Sequence, residues 1–326
     1  MKKILFAATL LLVCAKSFCW GFYAHRKINN YAVFLLPPQM LVLYKPNIDF
    51  IIAHAVDPDM RRNVVAEEAP RHYIDIDYYG KYPYSELPRK WADAVAKFSE
   101  DTLKANGIVP WHIQTMLNRL TDAFKTKNFL LIMKNSADIG HYIADAHVPL
   151  HTSSNHNGQL TNQKGIHAFW ESRVPELLAD KEFDFFIGKA QYIKNPGEYI
   201  WARVLESAKA ADSVLLFEKE LTKQFGSDKK YAFEQRNKAV MKQYSSAYTI
   251  AYNKKLDGMV ERRMRLAIFS VASFWYTAWV NAGQPDLTGL AKQKFTEADI
   301  KEFEKLNEAW KTGKQKGREH EDIPLP

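Results

Sequence analysis

Cysteine is almost absent. The chain has 326 residues and two cysteines, Cys14 and Cys19, both within the first nineteen positions. No disulfide can therefore staple the chain beyond position 19, and stability there must come from a packed core and from any bound metal. Long apolar runs are also missing, apart from the opening MKKILFAATLLLVCAKSFC. That stretch has a basic start, a short apolar middle and compact residues near position 19, which predicts a secretory signal and is too short for a membrane span. Cleavage is expected after Cys19, with Ser17 at the minus-three place and Trp20 as the new N-terminus. LLVC and KSFC are poor lipobox matches, so no lipid anchor and no transmembrane anchor are expected. The destination is the periplasm or the cell exterior. Charge of one sign is scarce as well. The formal +8 falls by three lysines to +5 once Lys2, Lys3 and Lys16 leave, a modest excess that favours anionic partners only weakly.

No Gly/Ser linker, repeat or composition break divides the chain, and no alternating strand pattern stands out. The expected fold is all-α, a single-domain multi-helix bundle over residues 20–310, followed by a mobile polar tail over 311–326, KTGKQKGREHEDIPLP. Apolar spacing of three and four predicts helices from Trp20 to the residue before Pro37 and over Met40–Ala55, Trp91–Asn106, Trp111–Phe124 and Asn128–Ala146. Further helices are expected over Glu198–Gln224, Tyr231–Lys254 and Leu256–Asn281, the last ended by Gly283 and Pro285.

What the chain does have is histidine beside carboxylate. His141 with Asp145 and His167 with Glu171 are each four residues apart, which on a helix places both side chains on one face, and His151 lies between the pairs. One such pair is usually an ion pair or a satisfied core histidine. Two pairs flanked by Ile139, Tyr142, Ile143, Val148, Leu150, Phe169 and Trp170 place several ionisable groups in buried segments, and buried charge needs a partner or a metal. Imidazole with carboxylate is a ligand set that suits zinc. Upstream, HAVDPDMRR offers Asp57 or Asp59, and APRHYIDIDYY offers His72. His25 follows Trp20 by five. His54, His147 and His156 acquire no ligand role. Arg61, Arg62 and Arg71 read as ion-pair arginines, and Tyr73, Tyr78, Tyr79 and Trp111 as packing aromatics.

In order, these residues are a Trp at the expected mature N-terminus, an early His, an Asp, a His in an HYID context, HxxxD at His141–Asp145, His151, and HxxxE at His167–Glu171. The series resembles the superfamily of zinc-dependent phospholipases C and single-strand-specific zinc nucleases. The resemblance spans Trp20 to Glu171, about half of the expected mature chain. It implies three zinc ions. One would be held by Asp57, His72, His141 and Asp145, a second by the α-amino group and carbonyl of Trp20 with His25 and a shared Asp145, and a third by His151, His167 and Glu171. The fifteen-residue Asp57–His72 spacing matches the nucleases, which selects Asp57 over Asp59. The implied reaction is attack of zinc-activated water on the phosphorus of a phosphodiester, with Asp57 orienting or deprotonating that water. Use of the Trp20 amine would tie activity to signal removal.

The substrate is read from features that point both ways. WGFYAH and HYID look like the nucleases, whereas Glu171 in HxxxE looks like the phospholipases C. The chain length and the missing disulfides tip the expectation to a phospholipase C-like hydrolase, with a nuclease acting on single-stranded DNA or RNA close behind. The segments 61–91 and 152–166 would flank the metal cleft and choose the substrate. Two other readings are a secreted zinc-binding protein without turnover and an amphipathic module at membranes. No protein partner is evident.

Overall fold

The computed structural model describes residues 21–62, 64–236 and 239–312. The expected signal, Trp20 and residues 313–326 of the expected tail lie outside the described residues. Within them the fold is mostly helical, with one small sheet.

The core is built around two adjacent helices, α7 (Val109–Lys125) and α8 (Phe129–Ala146). Before them come α1 (Phe22–Phe34), α2 (Pro38–Tyr44), α3 (Ile48–Ala53), α4 (Asp57–Arg61), α5 (Trp91–Phe98) and α6 (Glu100–Ala105). After them come α9 (Ile166–Ala168), α10 (Val174–Glu182), α11 (Pro196–Phe225), α12 (Ser227–Lys230), α13 (Ser246–Lys255), α14 (Met259–Asn281) and α15 (Glu297–Thr312). Asn128 caps α8 by accepting from Leu131 N at 3.0 Å, and the α8 run of Ile132, Met133, Ile139, Tyr142 and Ile143 is buried. α14 closes the other side. Its Trp275 indole donates to Ser136 O at 3.0 Å, and Ser136 Oγ meets Tyr44 OH at 2.7 Å.

One close approach matters for the site. A Cβ on Gly140 would fall 2.1 Å from Asn29 Oδ1, so only glycine admits α1 this near α8. Buried Asn29 uses the gap, donating to Ala137 O at 3.2 Å and Ile51 O at 3.4 Å. These bonds fix α1 against α8 one helical turn from His25.

Several expected helices are interrupted. The Met40–Ala55 helix is split between α2 and α3, and Trp91–Asn106 breaks at Ser99, which takes φ 67° and caps α6 through Thr102 N. Expected helix 231–254 is a larger correction. Residues Tyr231–Arg236 (β1) and Ala239–Tyr244 (β2) form an antiparallel hairpin with Tyr231 opposite Tyr244, and only Ser246–Lys255 is helical. Tertiary contacts explain it. Tyr244 stacks on Phe169 at 3.7 Å, while Arg173 donates to Tyr244 O and to Glu234. These hold the extended chain against its helical propensity. α15 runs two residues into the expected tail. Among the described residues no helix is long and apolar enough to cross a membrane.

Candidate metal centre

Three groups of buried histidine and carboxylate lie together: His25, His141 and Asp145; Asp59, His72 and His141; and His151, His167 and Glu171. Within each group the nearest ligand atoms are within 4.8 Å of one another. α8 supplies the centre. Its i,i+4 spacing puts His141 Nε2 3.3 Å from Asp145 Oδ2. α1 lays the His25 ring flat on His141, centroids 3.8 Å apart, with His25 Nε2 3.4 Å from Asp145 Oδ1. The short turn Ala69–His72 delivers His72, whose Nδ1 is 3.0 Å from Asp145 Oδ2 and 3.0 Å from His141 Nε2. His151 Nε2 sits 3.9 Å from Asp145 Oδ1 and 3.4 Å from Glu171 Oε2. Asp145 therefore faces all three groups.

Glu171 lies on a widened π turn, Phe169–Arg173, between α9 and α10. Pro175 has no N–H to give the Glu171 carbonyl, so the ordinary ladder fails at that residue, and such π turns recur at functional sites. The wide turn brings Glu171 Oε2 to 3.1 Å from His167 Nε2.

Three imidazoles are fixed by backbone carbonyls: His141 Nδ1 to Ala55 O at 2.9 Å, His151 Nδ1 to His72 O at 2.6 Å, and His167 Nδ1 to His156 O at 3.1 Å. With Nδ1–H donating, each Nε2 keeps its lone pair for the group it faces, the usual arrangement of metal-ligating histidine. His72 is turned the other way. Its Nδ1 faces the carboxylates, and its Nε2 is 3.6 Å from Glu68 Oε1. Glu68 is itself fully buried and accepts from Tyr142, Arg71 and Arg61.

The expectation for Asp57 is corrected. Asp57 Oδ2 pairs with His54 Nδ1 at 2.7 Å and enters none of the groups, while Asp59 Oδ1 lies 3.7 Å from His72 Nδ1 and 3.6 Å from His141 Nε2. Two residues apart on the short α4, the two carboxylates leave opposite sides of the helix, so although both are buried only Asp59 faces His72 and His141. The thirteen-residue Asp59–His72 spacing is thus the one that closes. His25, His72, His141, Asp145, His151, His167 and Glu171 all lie within the three groups. Trp20 lies outside the described residues. Sequence reasoning missed Glu68, although Glu68 and His72 are four apart like the two pairs that it did weigh.

Electrostatics follow from burial. His25 is held below its usual range by burial and by His141. Burial also opposes charge on His141, but Asp145 and Asp59 outweigh it and push the imidazole up to about 9. Burial alone would raise Asp145, yet His141 and His151 hold it well below the carboxylate range. Glu171 is pushed up to about 7 by burial against the pull of His151. Fit to a cation is supported by atoms that the protein itself leaves bare: both oxygens of Asp59, Asp145 Oδ1 and Glu171 Oε1 are buried and make no hydrogen bond. Buried acceptors of this kind cost free energy unless a cation or donor meets them. Nitrogen and carboxylate oxygen together form a donor set for a divalent transition metal.

The remaining residues have ordinary roles. His147 Nδ1 donates to Ile143 O at 2.7 Å, and its Nε2 meets Ser270 Oγ at 3.1 Å, away from the groups. Arg61 makes a two-point pair with Asp138, and Arg71 pairs with Glu68. His156 accepts from the His167 ring through its carbonyl, and its own ring stands edge-on to that of His167 at 6.2 Å. Trp111 and Tyr79 are core, and Tyr78 is exposed. Comparison with protein-family models and with curated proteins finds no match to this chain.

Proposed function

We propose that this chain is a zinc-dependent phosphodiester hydrolase, phospholipase C-like in its preferred substrate, and exported. The observation that carries the reading is the joining of three cation-holding groups through Asp145 and His141, with bare carboxylate oxygens turned into them. Adjacent divalent ions suit phosphoryl transfer, because when bound they lower the pKa of water and neutralise charge on the phosphoryl oxygens. Asp59, His72, His141 and Asp145 would hold one ion. His25 and Asp145, completed by the Trp20 amine and carbonyl, would hold a second, and His151, His167 and Glu171 a third. Asp59, with neither oxygen hydrogen-bonded, takes the role first given to Asp57 of orienting water or accepting its proton. The backbone carbonyls of Ala55, His72 and His156 fix the imidazoles, and Glu68 turns His72.

The lipid preference is supported by the two loops that carry His72 and His167. They are tied together, since Asp77 accepts from Ser153 Oγ and from Ser154 N and Oγ. They also expose Tyr78 at 60 %, Tyr82 at 56 % and Leu160 at 72 %. Exposed apolar side chains on these loops suit a lipid surface. The test is a side-by-side assay on phosphatidylcholine, single-stranded DNA, RNA and bis-p-nitrophenyl phosphate, with and without chelator, using protein beginning at Trp20. Phosphatidylcholine turnover abolished by chelator is expected. Cleavage of nucleic acid alone would move the assignment to the nuclease class, and turnover surviving chelation would end it.

A further inference from the structure

A cavity of about 790 Å³, among the best formed in the described residues, contains none of the metal-holding side chains. Its lining includes Trp91, Trp111, Trp201, Arg89, Lys90 and His112, drawn from α5, α7, α11 and the segment before α5. The three indoles stand edge to face in a row, with centroids 5.4 and 5.0 Å apart. Arg89 lies over the Trp201 ring at 4.3 Å, and its backbone carbonyl is clamped by the Trp111 indole N–H at 2.9 Å. The volume is that of a small-molecule site.

Three residues of this lining each hold a buried polar atom that makes no hydrogen bond: Arg89 Nη1, Trp201 Nε1 and His112 Nε2. Trp201 and His112 are only 4 % and 8 % exposed. Unmet polar atoms around one cavity call for a shared partner, because a desolvated polar group without a hydrogen bond is costly. Guanidinium and indole N–H groups can only donate, so that partner must present acceptors. Charge narrows it further. Lys104 is paired with Glu100 at 2.6 Å and Glu198 accepts from Asn195, while Arg89 and Lys90 form no ion pair among the described residues, so three cations face two carboxylates on this lining. Unpaired cations favour an anion, and a row of indoles favours a flat conjugated ring.

We propose that this cavity is a second binding site, separate from the metal centre, for an organic anion carrying a flat conjugated ring. The ring packs against Trp201 and Trp111, and acceptor atoms meet Arg89 Nη1 and Trp201 Nε1. Nucleoside monophosphates and aryl carboxylates share this chemistry.

Titration calorimetry on the full chain tests the proposal, using adenosine 5′-monophosphate, 2-naphthoate, adenosine, inorganic phosphate and chitotriose as probes. At least one ring-bearing anion is expected to bind one per chain, with adenosine and phosphate each about tenfold weaker or worse. Whichever anion binds identifies the source. Arg89→Ala should weaken binding by about tenfold. Trp201→Phe, which keeps a ring but removes the N–H, should weaken it less, and Glu171→Gln should leave it unchanged. Far-ultraviolet circular dichroism confirms that each variant is folded. Failure of both anions to bind, binding indifferent to Arg89→Ala, loss in Glu171→Gln, or preference for chitotriose would each overturn the proposal.

Discussion

Glu218 lies outside the metal groups but holds the loop that leads into His167 through Gln163, and replacing it with alanine gives a calculable result. Its carboxylate is 1 % exposed. It receives Gln163 Nε2 at 2.6 Å, Lys230 Nζ at 2.6 Å, Tyr248 OH at 2.9 Å and Thr222 Oγ1 at 2.9 Å. Burial pushes its pKa up, but Lys230 and these donors outweigh burial and hold the group ionised. Gln163 belongs to the loop whose Asn157 Oδ1 accepts from Gly165 N and His167 N, and whose His156 O fixes the His167 ring. Glu218→Ala removes the acceptor of four donors and leaves the Lys230 ammonium, about one-eighth exposed, without its counter-charge. Breaking a buried pair from one side costs about 3–5 kcal/mol, and the partial exposure of Lys230 places this case near 3. At about 2–4 °C per kcal/mol for a chain of this size, Tm should fall by about 6–12 °C. Metal content should fall too, by up to about one ion per chain, because the His151, His167 and Glu171 group loses its loop while the others keep theirs. Glu218→Gln keeps the side-chain length and some of the hydrogen bonds, so it should fall between Glu218→Ala and the parent. Differential scanning calorimetry and elemental analysis read both effects. An alanine variant melting within about 2 °C of the parent with undiminished metal would refute the reasoning.

Asp59→Ala should lower bound metal and abolish phosphodiesterase activity, whereas Asp57→Ala should retain metal, since only Asp59 faces His72 and His141; elemental analysis of both variants decides. Burial, helped by Arg71, pushes His112 down to about 3 from 6.5. Its folded pKa lies below its unfolded one, so the unfolded chain takes the proton first, and stability present above pH 6.5 drains as pH falls toward 3 at about 1.4 kcal/mol per unit. His112→Phe should therefore lose about 2 kcal/mol less than the parent between pH 7.5 and 5, read from urea midpoints with equal m-values. Gly140→Ala drives a methyl into Asn29 and should loosen His25 from His141, with a loss of stability and of metal that Asn29→Ala partly restores.

Much of this was legible in the sequence because helical spacing is local. His141–Asp145 and His167–Glu171 are one turn apart whatever the rest of the chain does, and the apolar stripe of α14 reads directly as a buried helix. What was not legible depends on distant partners. Choosing between Asp57 and Asp59 required knowing which side of a five-residue helix faces α8. The hairpin at Tyr231–Tyr244 mixes helix-favouring Ala, Glu, Gln, Lys and Met with strand-favouring Tyr, Phe and Val, and it is held extended by Phe169 and Arg173 some sixty to seventy-five positions earlier. The lining of the tryptophan cavity likewise comes together only once α5, α7 and α11 are packed.

The most direct test of the metal centre is elemental analysis of the folded chain beginning at Trp20, purified without chelator or metal-affinity steps. Zinc at about three per chain, one for each group and reduced in Asp145→Asn, is the predicted result. Folded, phosphodiesterase-active protein carrying no transition metal would contradict it.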